Sequence, residues 1–81
     1  MKNINKLRSY LLDDEFKMII QNDRININNY EKIDYLDLDK IIVKHDNKKT
    51  IIKGNNLRVT KLLNDEILIK GIIKNIEIGE L

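Results

Sequence analysis

The 81-residue chain predicts an all-β fold: a small antiparallel meander, either an open roll or a partial barrel, of about six to seven strands with a short N-terminal helix. Three observations predict it. Sixteen residues are isoleucine, whose β-branched side chain suits a pleated surface and crowds a helix. From Phe16 onward apolar residues recur with period two, as in half-buried strands. The alternating runs are short and divided by clusters of Asn, Asp and Lys, with no second helical pattern, which is the layout of a meander.

Each element follows in order. Residues 2–12 place Ile4, Leu7 and Leu11 at helical spacing, with Lys2, Lys6 and Arg8 elsewhere, which fits an amphipathic helix. The acidic run Asp13-Asp14-Glu15 opposes the dipole of a helix C-terminus and ends it. Residues 1–15 are therefore a helix and acidic linker, and 16–81 a β domain. Phe16, Met18 and Ile20, a turn at 21–23, and Ile25 and Ile27 alternating with Arg24, Asn26 and Asn28 make a hairpin. Residues 32–36 form a short third strand and 41–45 a fourth. Asp46 to Lys49 turn the chain into 50–54. Residues 56–62 and 66–78 complete the series across a turn at 63–65.

The last segment carries a conflict of parity. Ile67, Ile69 and Ile73 share one face of a straight strand, whereas Ile76 and Ile78 share the other. One extra residue, a bulge near Lys74-Asn75, puts all five together. Gly71 lets the long strand bend. Gly54 is expected at a strand end beside Asn55-Asn56, where a positive φ costs Gly and Asn least. Leu57, Val59, Ile67, Ile69, Ile73 and Ile76 are the expected core. The core must be thin, because a domain this small hides only about 60% of its unfolded surface.

Catalytic chemistry finds no foothold. The chain has no cysteine, so it offers neither a disulfide framework nor a thiolate metal site. His45 is read as a surface histidine at a hairpin end, since Asp46, its sequence neighbour on a strand, points to the other face. Ser9 has no nucleophile motif around it. Asp34, Asp37 and Asp39 lack the glycine and distal glutamate of a calcium loop. The glycines of Ile52-Lys53-Gly54 and Ile69-Lys70-Gly71 stand alone and lead into strands, whereas a phosphate cradle needs clustered glycines opening a helix. The expectation is a protein that is not an enzyme, with no cofactor and no metal.

No apolar run approaches the roughly 20 residues of a membrane-crossing helix, and the N-terminus lacks the continuous apolar stretch of a secretory signal. A cytoplasmic protein is expected. Residues 40–61 hold seven cations against Asp46, net +6. Within them Lys44, Lys48, Lys49, Lys53, Arg58 and Lys61 are a candidate basic contact surface, suited to an acidic partner. A small β-barrel binding nucleic acid through 40–61 is the alternative. It lacks the aromatics of a stacking platform, since Phe16, Tyr10, Tyr30 and Tyr35 all lie outside the segment.

Residues 53–78 carry Lys53-Gly54, then Leu57 and Val59, then Asp65-Glu66-Ile67-Leu68-Ile69, then Gly71 with Ile73 and Ile76. This pattern resembles the YabP/YqfC family of sporulation proteins of endospore-forming bacteria, and within it the YqfC branch. The likeness continues upstream through Ile25-Asn26-Ile27-Asn28-Asn29, covering about residues 16–78. It departs from the family at Gln21, Lys32 and Lys48, where family turns often hold glycine. The resemblance implies a non-enzymatic structural or assembly role in endospore formation. It further implies the mother-cell cytoplasm, a peripheral place at the forespore membrane, and a membrane-protein partner of YqfD or YabQ type. Independently, a meander with no proline and no disulfide has sheet edges open to a second copy, so a homo-oligomer is also expected.

Overall fold

The structure, a computed structural model, describes residues 15–80. The helix expected over residues 2–12 lies outside the described residues. Six strands follow in order: β1 Lys17–Gln21, β2 Arg24–Asn28, β3 Lys32–Leu36, β4 Lys40–His45, β5 Lys48–Leu62 and β6 Glu66–Glu80. There are six because residues 50–54 and 56–62, expected as two strands, run on as one. All pairings are antiparallel within a single open sheet of order β1-β2-β6-β5-β4-β3. Only β3 to β6 form a meander. β2 instead returns to β6, matching Ile25 with Ile69 and Ile27 with Ile67, so that β-branched side chains stack across the ladder on the buried face.

The long β5–β6 hairpin organises the molecule. β4 pairs only with Lys48 to Lys53 of β5, and β2 only with Glu66 to Lys70 of β6. Two short sheets therefore hang from opposite ends and opposite sides of one hairpin. Between them lies a waist where the register breaks. Lys53 pairs with Asn75 and Gly54 with Ile73, which leaves Lys74 as the extra residue of a bulge in β6. Further shifts fall between Asn55 and Arg58 and between Val59 and Lys61. The bulge at Lys74 resolves the parity conflict as far as Ile76: Ile73 and Ile76 both pack on the core, while Ile78 runs past it and is 58% exposed.

The glycines of the waist differ from each other. Gly71 has φ +142°, and a Cβ there would meet the Asn56 carbonyl oxygen at 2.6 Å, so this position needs glycine on both counts. Gly54 is not at a strand end and does not take the positive φ expected of it. It lies buried inside β5, and a Cβ would stand 1.9 Å from the carbonyl oxygen of Ile72. Close approach of two backbones fixes Gly54. The left-handed conformation falls on Asn56 instead, at φ 54°, where a short polar side chain tolerates it.

Loops tie down the waist. The amide of Gly71 donates to the carbonyl of Asp23, that of Leu57 to Leu38 and that of Gly54 to Asp39. These bonds pair three of the amides that the broken ladder leaves without a strand partner, as buried backbone donors require. At the far end, Asp46 and Asn47 both take positive φ, making the two-residue turn whose twist suits a hairpin.

The core is one cluster: Ile25, Ile27, Ile41, Val43, Ile52, Leu57, Ile67 and Ile69, all 0–2% exposed. Strands β2 and β4 share no ladder yet contribute to the same cluster, so the sheet folds over at the waist and closes its two ends face to face. Of the residues expected in the core, Leu57, Ile67 and Ile69 are buried, and Val59, Ile73 and Ile76 pack partly buried against them. The cores of β2 and β4 complete it.

Candidate interaction surface

The register of β3, β4 and β5 decides where the lysines point. Ile41, Val43 and His45 are buried, so Lys40, Ile42 and Lys44 face outward by alternation. Lys44 lies directly opposite Lys32 on one side and Lys49 on the other. Three cations thus stand in one row across three neighbouring strands. Toward the waist follows a row of Tyr35, Ile42 and Ile51, then Lys40 opposite Lys53. The outer face of this half therefore carries five lysines around an apolar strip.

Among the described residues, acids answer two of the five lysines. Lys32 reaches Asp34 at 3.4 Å and Lys53 reaches Glu77 at 3.8 Å. The Lys40 ammonium sits 5.4 Å above the Tyr35 ring, a cation–π contact. Among the described residues, no acid lies within ion-pair distance of Lys44 or Lys49. Like charges directly opposite on a sheet are destabilising.

The six residues read from the sequence as one basic surface do not stay together. Lys44, Lys49 and Lys53 share the outer face just described. Lys48 pairs with His45 at the hairpin end, on the parity of the core. Arg58 and Lys61 belong to the other half, where Arg58 lies opposite Lys70 and Lys70 opposite Arg24. That half has a cation row of its own, and two of its four cations, Arg24 and Lys61, are ion-paired. Arg24 binds Asp23 at 3.0 Å, holding that carboxyl below its usual pKa through the hydrogen bond. Lys61 reaches Glu66 at 3.4 Å, and Asn26 Nδ2 donates to the same carboxylate at 2.9 Å. That hydrogen bond is the main reason the Glu66 pKa is lowered.

Sequence reading missed Lys32 and Lys40 as members of the face. For Lys40 the signal was available: a two-residue turn at Asp46-Asn47 fixes 45 opposite 48, and hence 44 opposite 49 and 40 opposite 53; Lys32 depends on the β3–β4 register, which that turn does not set.

His45 is a correction. It is not a surface residue but 4% exposed. Its Nε2 lies 2.7 Å from Thr50 Oγ1, and its ring stacks on Phe16 with centroids 3.5 Å apart and planes 4° from parallel. Phe16 precedes β1 and His45 ends β4, so the stack clasps the two folded-over ends. Burial pushes the imidazole pKa down, Asp46 and Glu31 pull it up, and Lys48 lowers it further. Alternation places His45 with Val43 and Ile41; the apolar face recruits it.

Edges are the other exposed feature. Among the described residues, β6 has no strand beyond Lys70 on the side that β2 occupies, and β5 has none beyond Lys53 on the side of β4. Beside the latter edge a groove of about 510 Å³ is lined by Leu36, Asp37, Leu38, Leu57, Arg58 and Val59. Leu36 and Leu38 are 57% and 58% exposed. Among the described residues no helix is long and apolar enough to cross a membrane.

The family model described as the YabP family covers residues 14–80. No curated protein and no solved structure matches the chain.

Proposed function

The chain belongs to the YabP family, and on that premise we propose that it is a non-enzymatic structural or assembly protein of endospore formation, closest to the YqfC branch. Family membership over most of the chain is the observation that carries this reading. The setting is the cytoplasm of the mother cell, at the periphery of the forespore membrane, with a membrane protein of YqfD or YabQ type as partner.

The open edges support an assembly role. Residues 72–80 of β6 offer, on the side away from β5, a row of backbone donors and acceptors with no strand beside them among the described residues, and unpaired edges template pairing with another chain. Ile72 and Ile78, 57% and 58% exposed, add apolar contact along the same strand. A second copy added there extends the sheet and gives a homo-oligomer.

Deletion in the native host, in a strain without a redundant paralogue, tests the reading by the count of heat-resistant spores. The expected result is a marked loss. A normal count overturns it.

A further inference from the structure

We propose that the outer face of the β3–β4–β5 half docks on an anionic lipid bilayer. Between β4 and β5 the face is a regular ladder from Lys40 to His45, a pleated surface suited to a planar partner, and between β3 and β4 one irregularity at Asp34 separates the Lys32–Lys44 pair from the Tyr35–Ile42 pair. Its cations are arranged in two rows four residues apart, about 13 Å along the strand. Lys32, Lys44 and Lys49 make one row, Lys40 and Lys53 the other. Between them lie Tyr35, 43% exposed, and the half-buried Ile42 and Ile51.

Each feature fits a lipid interface. Clustered lysines near a membrane are attracted to anionic headgroups. Lysine stems cover apolar surface while their ammonium groups reach out to charged headgroups, and tyrosine favours the headgroup level. The opposed Lys32, Lys44 and Lys49 are unfavourable in the isolated chain. A layer of anions over the face converts that repulsion into attraction.

Two other occupants fit less well. Single-stranded nucleic acid stacks on open aromatic faces, but the one ring here lies under Lys40. A carboxylate-bearing protein is read best by the planar fork of arginine, and all five cations here are lysine, point charges suited to a diffuse anionic surface. Lysine is abundant throughout the chain, but abundance does not place five on one face in register.

This inference deepens the sporulation reading, on which its biological setting rests, while its chemistry rests on the lysine rows alone. The test is co-sedimentation of the full-length protein with phosphatidylcholine vesicles and with mixed phosphatidylcholine–phosphatidylglycerol vesicles at low ionic strength. Binding is expected to the mixed vesicles only, and to disappear in about 1 M salt, where the Debye length is about 3 Å. Lys44→Gln/Lys49→Gln should weaken partitioning roughly 25-fold, about fivefold per lysine. Arg58→Gln/Lys70→Gln removes the same charge from the other half and should change binding by less than about threefold. Circular-dichroism melts of both variants establish that each is folded.

Absence of binding to the mixed vesicles overturns the proposal. So does an equal loss in the two double variants, or tighter binding to a single-stranded oligonucleotide than to vesicles. The spore count separates the two readings: failed vesicle binding removes the bilayer and leaves a sporulation phenotype standing, and a normal spore count does the reverse.

Discussion

The waist of the β5–β6 hairpin and the lysine-bearing flank beside it are built on opposite terms. At the waist, residues 53–58 and 71–75, side chains are dictated by backbone. Gly54 and Gly71 have no room for a Cβ, Asn56 takes the left-handed turn, and loop carbonyls claim the free amides. On the flank the β4–β5 ladder is unbroken and the β3–β4 ladder shifts once, at Asp34, and there lysine faces lysine across β3, β4 and β5. One region spends its sequence on folding. The other sets like charges side by side, which costs the sheet stability, and it is the face that we propose for a partner.

The largest effects should come from breaking the waist. Gly54→Ala drives a methyl group into the Ile72 carbonyl, and a loss above about 4 kcal/mol, close to the whole stability of a small domain, is expected. Gly71→Val adds about 1–3 kcal/mol of backbone strain to its clash with Asn56. Gly79→Ala is the control, since a Cβ there meets nothing within 4 Å, and its effect should stay within about 0.5 kcal/mol. Urea denaturation of the three variants ranks them. Equal stability of Gly54→Ala and Gly79→Ala would show that the waist is not closely packed.

Next is the core that the waist folds over. Ile69 is 0% exposed and pairs with Ile25 and Val59, so Ile69→Ala should cost about 2–5 kcal/mol. A loss under about 1 kcal/mol by chemical denaturation would mean that the two ends are not packed face to face.

A smaller effect reports on the clasp between those ends. Because burial holds the His45 pKa below its ordinary 6.5, the unfolded chain takes up the proton more readily than the folded one. The contribution to stability is full above about pH 6.5 and is lost as pH falls through that value toward the folded pKa. Melting temperature measured from about pH 8 to 5 should show this decline, and His45→Gln should flatten it. Phe16→Ala, which uncovers the ring, should move the imidazole titration back toward its ordinary value by NMR. A wild-type melting temperature independent of pH across this window would place His45 in solvent.

Much of this was legible in the sequence. The bulge at Lys74 followed from the change of parity between Ile73 and Ile76, because period two allows no other way to bury both. Local hairpins followed from turn residues. The return of β2 to β6 did not, since Ile25 and Ile27 could pair on parity with several isoleucine-bearing strands and nothing local selects Ile69 and Ile67. Gly54 was misjudged for a related reason: its constraint is the Ile72 carbonyl, distant in sequence and carrying no side-chain signal. His45 was misplaced because a hairpin end reads as surface until Phe16, from the other end of the sheet, covers it. As for the basic surface, charge counted along the chain joined Arg58 and Lys61 to lysines that the waist sets apart, and only register recovers Lys32 and Lys40.

The smallest energy carries the central claim that the flank is kept for a partner at some cost to the fold. Thermal and urea unfolding of Lys44→Gln/Lys49→Gln against the natural sequence measures it directly. At low ionic strength the variant should be the more stable, by about 0.2–1 kcal/mol for each opposed pair relieved, and the difference should vanish in about 1 M salt, where the charges are screened. A variant less stable than the natural protein at low salt would contradict the claim, because it would make the lysine row part of what holds the sheet together.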